Sequence, residues 1–125
     1  MKKVISTALA PAAIGPYSQG IMTDRYIFTS GQLPVAPEAG KITAETIEGQ
    51  AEQALTNLKA VLAEAGIGMD RVLKTTCFLA DINDFAAFNA VYGKYFPENA
   101  PARSCFQVAA LPMGAKLEIE CIALR

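Results

Sequence analysis

One periodic segment constrains this chain more than any other. Ile47, Ala51, Ala54, Leu55, Leu58, Val61, Leu62 and Ala65 recur at spacings of three and four, while Glu48, Gln50, Glu52, Gln53, Asn57 and Lys59 fall elsewhere on the wheel. Such spacing lays an apolar stripe along one helix, and that stripe must be buried against another layer. Gly66 and Gly68 stop the helix, and Glu45 and Glu48 are expected in its first turn, where the helix dipole favours negative charge. A second helical pattern starts near Asn83 or Asp84, both suitable N-caps, and halts at Pro97. It places Phe85, Phe88, Val91, Tyr92, Tyr95 and Phe96 on one face, an aromatic stripe that reads as core packing rather than a cofactor box.

The remaining patterns are strand-like. Val4-Ile5 is a short first strand, and 18–22 and 25–30 form a pair joined at Thr23-Asp24. Residues 31–40 carry Pro34, Pro37 and two glycines and read as a loop. The β-branched run 72–79 is a strand, as are 103–109 and 116–124 on either side of the Leu111-Pro112-Met113-Gly114 turn. This order predicts an α+β fold, a mixed sheet of about six strands with two α-helices packed on one face. No repeat or linker-like shift in composition divides the chain, so 1–125 is read as a single domain. Of the 125 residues, 52% are apolar, more than two helices can cover. The bare sheet face is therefore expected to close a small homo-oligomer.

Composition also narrows the chemistry. Eleven basic residues against twelve acidic ones give a net charge of −1, and the longest basic run is Lys2-Lys3, so no nucleic-acid or anionic-lipid footprint is expected. There is no histidine, which excludes histidine-dependent triads and zinc motifs within one copy. Cys77, Cys105 and Cys121 are too widely spaced for a metal or redox motif and read as three buried reduced thiols. Neither a signal-peptide h-region nor an apolar run near the ~20 residues of a membrane span is visible, which predicts a soluble cytoplasmic protein.

Two strands carry charge among apolar residues. Alternation puts Arg103, Cys105 and Gln107 on one face of their strand, and Glu118 and Glu120 share a face of the next. On consecutive strands, arginine and carboxylate could meet across the ladder as an ordinary ion pair. Alternatively, Arg103 could lie half-buried at the uncovered, subunit-facing side and take a small acid's carboxylate through paired hydrogen bonds, with Glu118 handling a water. Ser30 and Gly31, where a strand meets a loop, offer a hydroxyl and an unhindered N–H to a ligand, or simply a turn.

The strings AAIGPYSQG, FTSGQLP, DINDFAAFNAVYGKYF and PARSCFQVAALPMGAKLEI, in that order, resemble the reactive-intermediate deaminase family (RidA, also called YjgF), and the resemblance extends over essentially the whole chain. It implies a chorismate-mutase-like fold, a homotrimer with active sites between subunits, and cofactor- and metal-free hydrolysis of 2-imino acids and enamines such as 2-aminoacrylate to 2-keto acids and ammonia. Carried onto this chain, it implies that Arg103 binds the substrate carboxylate and Glu118 orients or deprotonates the water. The Cys105 carbonyl would help hold that water, and Ser30 and Gly31 would line the site. Tyr17 and Asn89 would complete the cleft from a different subunit than Arg103. Two other readings stay open: a non-catalytic module that binds small acids, and an endoribonuclease or translation inhibitor, which the near-neutral charge disfavours.

Overall fold

The structure is a computed structural model that describes residues 1–125. Its strands are β1 (Lys3–Ile5), β2 (Gly20–Met22), β3 (Tyr26–Thr29), β4 (Val35–Ala36), β5 (Lys41–Ile42), β6 (Val72–Leu79), β7 (Ala102–Gln107) and β8 (Leu117–Leu124). Helix α1 (Ile47–Glu64) joins β5 to β6, and α2 (Phe85–Tyr95) joins β6 to β7. Six strands make the main sheet in the order β1-β2-β3-β8-β6-β7, and β4 pairs only with β5. The β6–β7 pair is parallel because α2 crosses over between them; every other pair is antiparallel.

The helices do what their periodicity requires. Ala51, Ala54, Leu55, Leu58, Val61 and Leu62 of α1 are buried against Leu117, Ile119, Cys121 and Ala123 of β8, Cys77 and Leu79 of β6, and Ile27 of β3. Thr46 caps α1 by accepting a hydrogen bond from Gly49 N at 3.1 Å, so Glu48 lies in the first turn and Glu45 falls just outside it. A short 3₁₀ turn over Ile82–Asp84 precedes α2, and Asp81 rather than Asn83 or Asp84 supplies the capping oxygen, accepting from Asn83 N. In α2, Phe88, Val91 and Tyr92 are buried, whereas Phe85 is exposed and faces a different neighbour.

Three local expectations need correction. The β2–β3 connection spans 23–25 instead of two residues, because the Thr23 hydroxyl accepts from both Arg25 N and Tyr26 N and folds one more residue into the turn. The 31–40 loop contains the β4–β5 hairpin's first strand, held to α1 where the buried Asn57 donates to Leu33 O and Val35 O. Cys105 is only half-buried, since β7 is an edge strand, although Cys77 and Cys121 are buried.

The outer sheet face carries no helix. One row across it runs Val4, Ile21, Phe28, Ile122, and another pairs Phe78 with Phe106 edge-to-face at 5.5 Å. Val4, Phe28, Ile122 and Phe106 are exposed, and the Glu120–Thr76–Ser104 row lies between the two apolar rows. No helix is long and apolar enough to cross a membrane.

Candidate active site

Two half-sites emerge, and the sheet separates them. Strand β6 lies between β7 and β8, so Arg103 and Glu118 are not ladder neighbours and make no ion pair. Arg103 pairs in register with Thr75, and Thr75 with Cys121, all on the helix-covered face. Glu118 pairs with Phe78, on the outer face. The two side chains are thus on opposite faces, roughly 10 Å apart across the strands and roughly 10 Å along them. No molecule of amino-acid size touches both within one protomer. The expectation that Arg103 lies on the uncovered face is corrected accordingly: it sits under α2, at the free edge of β7.

At that edge the guanidinium is held from three directions. One nitrogen, Nη1, donates to Asn89 Oδ1 at 2.7 Å. The Tyr92 ring lies 4.7 Å from the guanidinium carbon and the Phe85 ring 5.3 Å, both within cation–π range. Tyr92 is itself fixed, its hydroxyl sharing a buried 2.7 Å hydrogen bond with Thr75 Oγ1. Asn89 therefore belongs to the same chain as Arg103, contrary to the expectation of a different subunit; the crossover places α2 directly over β7. No carboxylate lies within salt-bridge distance of Arg103. A half-buried, aromatic-clamped guanidinium without an acid partner keeps N–H groups that could pair with an external anion.

The Cys105 backbone extends this half-site. Val108 N donates to Leu79 O at 2.9 Å. The alternation of a parallel ladder then turns Ser104 and Phe106 toward β6, and directs the Cys105 carbonyl off the open edge. Burial pushes the thiols of Cys77 and Cys121 up to about 12, and that of Cys105 upward with Arg103 opposing the shift. None of the three is poised as a nucleophile.

The second half-site forms where β3 leaves the sheet. Pairing between β3 and β8 ends at Phe28 and Ile122, and the chain rejoins β8 through Gln32, whose N–H donates to Ile119 O at 2.7 Å. Ser30 and Gly31 loop out between these points. Ser30 is tied down, its N–H donating to Gln19 O at 2.9 Å and its hydroxyl to Ser18 O, so that hydroxyl fixes the loop and has only its lone pairs left for a ligand. Gly31 N–H has no protein acceptor. Gly31 lies directly over the Glu118 carboxylate: a Cβ there would sit 2.7 Å from its carboxyl carbon. Burial raises the Glu118 pKa, and the Glu120 carboxylate, two residues along the same face, raises it further.

Gly31 also borders a cleft of about 310 Å³, lined too by Ile14, Tyr17, Leu33, Val35 and Met113. Tyr17 and Gly31 are brought together here; Arg103, Asn89 and Cys105 are brought together at the β7 edge. Sequence reading missed Tyr92 and Phe85 as arginine supports, because an aromatic stripe on a helix signals core without saying what lies opposite. No group of three or more Cys, Asp or Glu side chains is close enough to hold a metal ion.

The family model described as Endoribonuclease L-PSP matches residues 7–125. The chain is 52% identical over 122 residues to the chloroplastic Reactive Intermediate Deaminase A of Arabidopsis thaliana, covering 98% of this chain and 65% of that longer protein. It is 50% identical over 125 residues to the 2-iminobutanoate/2-iminopropanoate deaminase of Capra hircus, covering 100% of this chain and 91% of the relative. The crystal structure of Escherichia coli TdcF with bound serine superposes with a TM-score of 0.94 at 48% identity, covering 98% of both chains.

Proposed function

Since the chain belongs to the RidA/YjgF family, the one whose model is described as Endoribonuclease L-PSP, we propose that it is a 2-iminobutanoate/2-iminopropanoate deaminase. It acts as a hydrolase in the cytoplasm, needs no cofactor or metal, and works as a homotrimer in which neighbouring copies share each site. The observation that carries this reading is the acid-free, aromatic-clamped Arg103, separated by the sheet from Glu118. One copy supplies Arg103, Asn89 and the Cys105 carbonyl. The next supplies Glu118, Ser30, Gly31 and Tyr17. The exposed apolar row on the outer face supports a sheet-to-sheet contact between copies that would bring these halves together.

In such a site the remaining N–H groups of Arg103 hold the substrate carboxylate and fix C2 in place. Glu118 takes a proton from a water held between its carboxylate and the Cys105 carbonyl. The water oxygen bonds to C2 as the C=N pair moves to nitrogen. Glu118 returns that proton to nitrogen to give the carbinolamine, then takes the C2 hydroxyl proton and passes it to the amine, so that the C–N bond breaks as C=O forms and 2-keto acid and ammonia leave. An enamine such as 2-aminoacrylate enters after protonation at C3. Imines hydrolyse unaided, so positioning and one proton relay suffice for useful acceleration.

Ammonia release from imino acids formed in situ by an amino-acid oxidase tests this directly. Release above the no-enzyme rate is expected; release equal to it, with keto-acid binding retained, would instead mark a binding module. RNA cleavage that is salt-sensitive and lost in Arg103→Ala would favour the ribonuclease reading.

Two variants probe the supports. Tyr92→Leu removes the ring beneath Arg103 and is expected to raise KM about tenfold with kcat changed far less, while Tyr92→Phe keeps the ring and most of the affinity. Gly31→Ala forces a methyl into the Glu118 carboxylate and is expected to lower kcat by about a hundredfold, since a displacement near 1 Å has effects of that size. Steady-state kinetics on both would show the contrast: a KM effect on the arginine side, a kcat effect on the glutamate side.

A further inference from the structure

We propose that the groove between the N-terminal segment, the β4–β5 hairpin and α1 is a binding site for a primary alkylammonium group, separate from both half-sites and independent of the deaminase reading.

The groove has a volume of about 420 Å³ and is lined by Ala8, Leu9, Pro37, Glu38, Gln53 and Thr56. Only Pro37 also borders the cleft beside Gly31, as a partition between the two. The walls are fastened together. Buried Gln19 grips the N-terminal segment before and after Ala8 and Leu9: Oε1 accepts from Thr7 N at 2.7 Å, and Nε2 donates to Thr7 O at 3.0 Å and Pro11 O at 2.8 Å. Asn57 of α1 holds the hairpin by donating to Val35 O at 2.9 Å, and Gln53 Nε2 donates in turn to Asn57 Oδ1 at 2.9 Å. A ligand therefore meets walls already in position, and little ordering opposes its binding.

The polar side chains of the lining offer acceptors. No Lys or Arg contributes, and Glu38 makes no ion pair. Gln53 Oε1 has no protein donor, since the amide's hydrogen bond is made through Nε2. For Thr56 the proton can be placed. Tyr95 gives its hydroxyl proton to Glu52 Oε2 at 2.8 Å, because a carboxylate at neutral pH only accepts. The 3.2 Å contact between the Tyr95 and Thr56 hydroxyls is then donated by Thr56, whose oxygen keeps its lone pairs for a ligand. A carboxylate, an amide oxygen and a hydroxyl oxygen around one groove match a group with three donors and no acceptor, which is an ammonium.

The rest of the lining is apolar. Leu9 is 74% exposed and packs in no core, with Ala8 and Pro37 beside it, so an alkyl tail on the nitrogen has apolar surface to cover. An α-amino acid is disfavoured, because its carboxylate would meet Glu38 and find no cation in the lining.

NMR titration of the full chain with n-butylammonium chloride tests the site, read at the Gln53 side-chain amide and the Ala8 and Leu9 methyl groups. A saturable shift at these groups is expected, with Kd on the order of 10 mM. n-Butanol, which lacks the charge, and tetramethylammonium, which lacks N–H donors, should each bind at least about threefold more weakly. Glu38→Gln and Thr56→Val should each weaken butylammonium by at least about threefold. Glu38→Gln should also leave ammonia release from imino acids within about twofold, so that failure of this site and failure of the deaminase reading are separate results. Nα-acetyl-lysine methylamide carries the same ammonium on a butyl stem. Binding as tight as that of butylammonium assigns the site to a lysine side chain of another protein, and weaker binding assigns it to a free amine. A shift that does not saturate, equal binding of butanol or tetramethylammonium, or a Kd unchanged in either variant overturns the proposal.

Discussion

Replacing Arg103 by alanine is expected to lower kcat/KM for imino-acid hydrolysis by at least about a hundredfold. The guanidinium has no acid partner in the protomer, so a substrate carboxylate would be its first full ionic contact. Charge-assisted hydrogen bonds contribute about 1.5–3 kcal/mol each, and two parallel ones make the loss about 3 kcal/mol or more. The fold should survive, because Arg103 is half-buried at an edge strand and its removal leaves Asn89 near solvent rather than orphaned in the core. Arg103→Lys should recover little. A lysine keeps the charge but cannot span Asn89 and a carboxylate with a planar fork, nor stack between Phe85 and Tyr92 in the same way. Saturation kinetics alongside a thermal melt would separate lost binding from lost structure.

Glu118→Gln is expected to have the opposite signature: kcat lower by about 10²–10⁴ with KM little changed, and a folded state more stable at neutral pH. Burial first, and Glu120 second, raise the Glu118 pKa above its ordinary value. The folded chain therefore holds this proton to higher pH than the unfolded chain does. The stabilisation is complete below the unfolded carboxylate value and is lost as pH rises through the raised, folded one. At pH 7 the ionised carboxylate is a burden on the fold, and the neutral amide removes it, so Tm should rise. The same carboxylate must be ionised to accept a proton, so the acid limb of kcat/KM should lie above the ordinary glutamate range. Glu120→Gln removes a like charge and should move that limb to lower pH. A lower Tm in Glu118→Gln at neutral pH, or an acid limb unmoved by Glu120→Gln, would contradict this electrostatic picture.

Much of the fold was legible because it is local. The three-and-four spacing from Ile47 onward places α1 almost to the residue, and the β-branched run of β6 coincides with its strand. What pattern could not reveal was which strands become neighbours. Arg103 and Glu118 lie on strands consecutive in sequence, yet β6 inserts between them because α2 carries the chain over to a parallel partner. That pairing follows from where α2 packs, beside α1 and against Thr75 and Arg103, rather than from the pattern of residues within 103–124. The same long-range packing put Asn89 in the same half-site as Arg103 and turned Phe85 outward to meet the guanidinium. Strand alternation correctly divided Arg103 from Ser104 and Glu118 from Ile119, so residue types and local faces were readable while their assembly was not. The β4–β5 hairpin escaped notice since two-residue strands carry no periodicity, and it is held by Asn57 from α1.

A division of labour follows from the opposed faces. The arginine half-site is rigid, clamped by rings and an amide, and suits recognition of a feature that every 2-imino acid shares. The glutamate half-site sits beside the 30–31 loop and the cleft that Gly31 borders. Exposed apolar rows on the outer sheet face are the means by which copies would be held in the required register.

Mixing two inactive variants tests the shared site most directly. Arg103→Ala and Glu118→Gln proteins would be unfolded together, refolded at equal concentration, and assayed for ammonia release. If each site takes Arg103 from one copy and Glu118 from the next, random reassembly restores about a quarter of the sites, and activity should return to about that share of wild type. Exchange of copies would be verified by mass spectrometry of the intact oligomers. Verified mixed oligomers that remain inactive would show that Arg103 and Glu118 do not act together across a subunit boundary.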